Sequence, residues 1–77
     1  MTQEAFLREL EEALEIGANS LDESKALQDV ESWDSMSALI FMGLADEKLQ
    51  VAITGRQLAE CKTVGDLIAL LGDAIEN

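Results

Sequence analysis

The sequence predicts an all-α fold, a small four-helix bundle with a long first loop and a short third helix. Three observations carry that expectation. Proline is absent and Val and Thr are scarce, which favours helices over strands. Apolar residues recur at helical spacing near both ends of the chain, with an almost unbroken apolar run in the middle. Residues suited to capping a helix precede each of these stretches: Thr2, then Asp34 and Ser35, then Thr54 and Thr63.

Thr2 caps a first helix predicted over 3–16. Phe6, Leu10, Ala13 and Leu14 form its buried stripe, with Leu7 and Ile16 at the margins. Glu4, Glu9, Glu11, Glu12 and Glu15 fall mostly on the solvated faces, and Gly17 is the expected stop. Residues 18–33 keep no sustained period and make a long loop, for which Leu21, Leu27, Val30 and Trp33 are spaced as anchors; Trp33 is read as a packing residue. This loop fails as a calcium site: counted from Asp22, Leu27 stands where the turn glycine belongs and Trp33 where the bidentate glutamate belongs.

The second helix is predicted over 35–50. Met36, Leu39, Ile40, Phe41, Met42, Leu44, Ala45 and Leu49 leave it few polar faces, as suits a central helix touched on several sides. Gly43 weakens it by up to ~1 kcal/mol relative to alanine, and is read first as a close-packing contact with a neighbouring helix, with close approach of a bound chain as the alternative. Ile53 is expected to enter the core before Thr54 and Gln57 form a capping box. The helix they start reaches only to about Cys61 and should be the most mobile. Thr63 opens the last helix, whose stripe is Val64, Leu67, Ile68, Leu71, Ala74 and Ile75.

The 77 residues are expected to form a single domain, 1–77, too small for a walled catalytic cleft. Sixteen acids against five bases set the net charge at −11. That balance argues against nucleic acid and anionic membrane surfaces, and for partners with positively charged patches. Ten of the acids lie within residues 1–34. One cysteine excludes an internal disulfide and fits a reducing compartment. There is neither a signal-peptide pattern nor an apolar run near the ~18 residues of a membrane span, so a soluble cytoplasmic protein is expected. Histidine and tyrosine are absent, which removes Ser–His and Cys–His pairs and imidazole metal sites. Cys61 is read as a packing residue on the apolar side of the third helix. No glycine-rich loop has phosphate-binding spacing, and adjacent carboxylates such as Glu11 and Glu12 have no cavity to tune them. No catalytic residue and no metal ligand is therefore nominated.

One stretch offers chemistry of another kind. Asp34 and Ser35 stand where the loop meets the central helix, and either is a suitable cap. A serine hydroxyl at an exposed helix start also suits a covalently attached phosphate, because backbone N–H groups and the helix dipole favour negative charge there.

Trp33-Asp34-Ser35-Met36 resembles the Asp-Ser-Leu attachment motif of the acyl and peptidyl carrier proteins, often preceded by Trp. Leu27-Gln28-Asp29-Val30 resembles that family's loop leading to the motif. Ile53 and Thr63-Val64-Gly65-Asp66-Leu67 resemble the apolar residue before its third helix and the Thr-Val-x-Asp-Leu start of its fourth. The likeness covers nearly the whole chain in order and spacing. It implies a bundle of the acyl-carrier type forming one carrier domain, with 4′-phosphopantetheine esterified to Ser35 by a separate phosphopantetheinyl transferase using coenzyme A. Asp34 would position the site. The arm's thiol would carry acyl or aminoacyl groups as thioesters to loading, condensing and tailoring enzymes, the protein supplying attachment, shielding and recognition.

In the fatty-acid carriers the second helix is rich in acids that meet basic partner surfaces. Here it offers mainly Asp34, Asp46 and Glu47, with Met36, Ser37 and Ile40 as the other candidate partner contacts. Partner contacts are therefore expected to be more apolar and less salt-sensitive. This leans away from housekeeping fatty-acid synthesis towards a specialised polyketide, fatty-acyl or non-ribosomal peptide pathway. The expectation is a free-standing, monomeric carrier. The alternative is a helical interaction module of the same fold that is never acylated.

Overall fold

A computed structural model of the protein describes residues 1–17, 19–30 and 33–76. Four α-helices are formed among them: α1 Gln3–Leu14, α2 Ser35–Leu49, α3 Gly55–Ala59 and α4 Val64–Leu71. Short 3₁₀ turns, Leu27–Asp29 and Gly72–Ala74, lie in the long loop and after α4. No strand occurs among the described residues, only isolated bridges between Thr2 and Glu76 and between Ala26 and Thr63. Of the loop expected over 18–33, Ala18, Glu31 and Ser32 lie outside the described residues, as does Asn77.

Local chemistry sets the helix starts. The Thr2 hydroxyl accepts from the Ala5 N–H and caps α1. Thr54 and Gln57 close the expected capping box on α3, and Thr63 and Asp66 close another on α4. Each satisfies backbone groups that a helix start leaves open.

The ends depart from expectation. α1 stops two residues early because Glu15, not Gly17, takes the left-handed conformation, with φ 59°. Its N–H bonds Glu12 O at 3.1 Å, and the Ile16 N–H bonds Glu11 O at 3.0 Å. That pairing satisfies the last carbonyls and turns Ile16 back onto the core. α3 stops at Ala59 rather than near Cys61. α4 stops at Leu71, where Gly72 adopts φ 56°; Ile75 is nevertheless buried, carried inward by the 3₁₀ turn.

Phe6, Leu7 and Leu10 of α1 meet Phe41 and Ala45 of α2 in the core, joined by Val64, Leu67, Ile68 and Leu71 of α4. The Phe6 and Phe41 rings pack edge to face, centroids 5.8 Å apart at 89°, an arrangement that adds about 0.5–1.5 kcal/mol to their burial. Ala13, expected in the buried stripe, is exposed, and Glu11, expected in solvent, is buried.

The long loop is held at both of its ends. Glu11, 2% exposed, accepts the Asn19 N–H at 3.0 Å and the Leu21 N–H at 2.8 Å, with the Arg8 guanidinium 2.7 Å away. Further on, Leu27 N–H bonds Lys62 O at 2.8 Å and Gly65 N–H bonds Glu23 O at 2.8 Å. A Cβ at Gly65 would stand 2.8 Å from that same carbonyl oxygen, so the approach of loop to α4 needs glycine. Leu21, Leu27 and Val30 bury their side chains beneath the loop, as their spacing predicts, and Trp33 packs half-buried at its end.

Candidate functional site

The loop delivers the chain to the start of α2. Trp33 N–H bonds Val30 O at 3.2 Å, and Asp34 follows in extended geometry, φ −148°. Asp34 is the cap: its Oδ1 accepts from the Ser37 N–H at 3.0 Å and the Ser37 hydroxyl at 3.2 Å. Its backbone carbonyl accepts the Ala38 N–H at 3.0 Å. Ser35 is thereby left as the first helical residue, exposed, its hydroxyl at the electropositive end of a 15-residue helix.

From Ser35 an open groove of about 460 Å³ runs between α2 and α3. Trp33, Ala38, Leu39 and Met42 form one wall, and Gly55, Leu58 and Ala59 the other. Among the described residues the only ionisable lining group is Asp34, already engaged with Ser37. A larger depression of about 750 Å³ lies between the start of α1, the long loop and Glu76. It shares no residue with the groove at Ser35. Its polar walls include a Gln3 amide that donates to Glu23, and Arg8, which is occupied by Glu11.

The candidate partner residues divide. Met36 stands 64% exposed beside Ser35, and Asp46 and Glu47 are exposed at the far end of α2. Ser37 is turned inward, only 7% exposed, and Ile40 is half-buried against the core. Sequence reasoning did not single out Leu39, which is 60% exposed. It also took Gly43 for a packing contact. Gly43 is exposed, and a Cβ there would meet nothing within 4 Å, so no neighbouring helix accounts for it. The signal for Leu39 was its place on one helical face with Met36 and Gly43, but α2 is apolar nearly all round and gives no moment from which to choose that face.

Cys61 is half-buried, its thiol donating to Gln57 O at 3.4 Å. Burial pushes the thiol's pKa up, and Asp66 and Glu60 add to the shift, which keeps it protonated and unreactive at neutral pH. Among the described residues, no group of three or more Cys, Asp or Glu is placed to hold a metal ion, and no helix is long and apolar enough to cross a membrane.

Residues 4–71 match the family model described as the phosphopantetheine attachment site. The chain belongs to this family. No curated protein and no solved structure matches it significantly. As a carrier domain it holds 4′-phosphopantetheine covalently, and its small helical architecture is of the acyl-carrier type. Carrier domains are not themselves catalytic; they work with a phosphopantetheinyl transferase and with biosynthetic enzymes.

Proposed function

We propose that this protein carries acyl or aminoacyl intermediates on a 4′-phosphopantetheine arm attached to Ser35, and catalyses nothing alone. The observation that supports the reading best is an exposed hydroxyl on the first residue of α2, opening directly onto an apolar groove. The residues present fit the group. A phosphodiester at Ser35 would lie at the positive end of the α2 dipole, with the Asp34 carboxylate turned to Ser37. Attachment forms a bond from Ser35 Oγ to phosphorus of coenzyme A as a phosphoanhydride bond breaks. Adenosine 3′,5′-bisphosphate leaves, and the transferase takes the serine proton.

When bound, the arm supplies a thiol that holds the cargo as a thioester. The chain's own part is to cap α2 through Asp34, so that Ser35 stays presented. Trp33, Met42 and Leu58 offer apolar shelter beside it, and Met36 and Leu39 offer a docking surface. The apolar lining favours an uncharged, hydrophobic cargo over one with a free charge. It also fits the specialised pathway that the scarcity of acids on α2 suggests.

Intact-protein mass after incubation with coenzyme A and a broad-specificity phosphopantetheinyl transferase tests the assignment. The wild type should gain one phosphopantetheine, and Ser35→Ala, unchanged in circular dichroism, should gain none. A wild type that stays at its starting mass would leave the non-acylated interaction module as the better reading.

A further inference from the structure

A helix start leaves N–H groups without intrahelical partners. At α4 the long loop takes two of them: Val64 N–H donates to Lys25 O at 2.9 Å and Gly65 N–H to Glu23 O at 2.8 Å. In the other direction Leu27 N–H donates to Lys62 O at 2.8 Å. Loop and helix start thus form a short antiparallel clamp around the Ala26–Thr63 bridge. Asp66 fixes its α4 side, since Oδ2 accepts both the Lys62 and the Thr63 N–H. Gly65 decides whether the clamp closes. Within a helix alanine is ordinarily the better residue, yet a Cβ here would meet Glu23 O at 2.8 Å and Glu23 C at 3.6 Å. Both are backbone atoms, so the loop itself would have to move.

Both walls of the groove at Ser35 hang from this clamp. Ala59, the last residue of α3, stands three residues before Lys62, and Trp33 stands six residues after Leu27. Both line the groove, on opposite sides. The α2 wall has an anchor of its own, because Phe41 is fully buried edge to face against Phe6. The α3 wall has little: five residues and one buried side chain, Leu58. A helix so short is held by what flanks it. On one flank that is the buried Ile53, and on the other it is the clamp.

We infer that Gly65 is a positioning residue for the groove. By letting the loop lie directly against α4, it sets where α3 stands relative to α2. It thereby governs how well the groove shelters an apolar chain carried from Ser35, which rests on Ser35 being the attachment residue.

The test compares wild type, Gly65→Ala and the control Ala69→Gly, which weakens α4 at an exposed position. Unloaded proteins are followed by urea titration and amide hydrogen exchange. Each is then loaded by the broad-specificity transferase from octanoyl- or acetyl-coenzyme A, and thioester cleavage by hydroxylamine is read by intact mass. Gly65→Ala should have a lower urea midpoint than wild type, although alanine replaces glycine in a helix. Its Leu58 and Cys61 amides should exchange several-fold faster than in Ala69→Gly, while those of Phe41 and Ala45 exchange alike in the two variants. Its octanoyl thioester should be cleaved several-fold faster than in wild type or Ala69→Gly, and the acetyl thioester, which has no chain to shelter, at one rate in all three. Asp66→Ala loosens the same clamp without a clash; it should speed the α3 amides likewise, and decides the matter where Gly65→Ala does not fold. Exchange at Leu58 and Cys61 no faster than in Ala69→Gly overturns the inference, as does octanoyl cleavage at the wild-type rate; either leaves Ser35 as the carrier site. A wild type that never gains mass removes the carrier reading and the shelter with it, while exchange on unloaded protein still shows whether the clamp positions α3.

Discussion

Glu11 is the residue on which the long loop depends. Its carboxylate accepts two loop N–H groups and faces Arg8, all within 3.0 Å, while the side chain is out of water. Glu11→Ala would orphan the Leu21 N–H, which is buried, and leave a guanidinium without its partner. A loss of about 2–4 kcal/mol in urea unfolding is expected. Glu12→Ala, one residue on and exposed, should change stability by less than about 0.5 kcal/mol. Equal effects from the two would show that the loop is held by its leucines alone. At Ser35 the balance is reversed: its neighbours Asp34 and Ser37 make the structural bonds of the helix start, and Ser35 itself stays exposed.

At the scale of elements, each helix start is a small electrostatic device, and α4 shows it most clearly. Asp66 Oδ2 accepts the Lys62 N–H at 2.8 Å and the Thr63 N–H at 3.1 Å. These two backbone bonds hold its pKa below the ordinary 3.8. Because the folded-state value lies below the unfolded one, the contribution to stability is complete above the ordinary carboxylate range. It is lost as pH falls through the lowered value. Asp22, held down by the Ser24 N–H and hydroxyl, acts with the same sign. Urea midpoints followed from about pH 7 to about pH 3 should therefore fall at the acid end, and Asp66→Asn should make that fall shallower. An unchanged acid slope would mean that other carboxylates carry it. The α3 helix has only five residues and a single buried side chain, Leu58, so it depends on its capping box and on its neighbours.

The whole molecule is a globule of 26 × 25 × 20 Å bearing a net charge of −11. At low salt the screening length, ~30 Å at 0.01 M, exceeds the protein, and every carboxylate repels every other; at 0.15 M it is ~8 Å, and only neighbours interact. Added sodium chloride should accordingly raise Tm across that range, read by circular dichroism. A Tm that fell with salt would mean that the ion pairs of Arg8 and Lys48 outweigh the repulsion. The same repulsion works against self-association.

Much of this was legible in the chain before any coordinates. The caps at Thr2, Asp34, Thr54 and Thr63, the helical stripes, the loop anchors and the placing of Ser35 at a helix start depend on residues within a few positions of one another. The termination of α1 at Glu15 was not legible, because the left-handed residue there is not glycine and is held by the Glu12 and Glu11 carbonyls and the packing of Ile16. Nor was the burial of Glu11, whose partners lie eight and ten residues away on a loop without a period. On α2, apolar on nearly every side, sequence alone settled that a helix forms and where it begins. Only the packing of α1, α3 and α4 around it decided that Phe41 and Ala45 face inward while Met36, Leu39 and Gly43 face out, since burial belongs to neighbours and not to the residue itself.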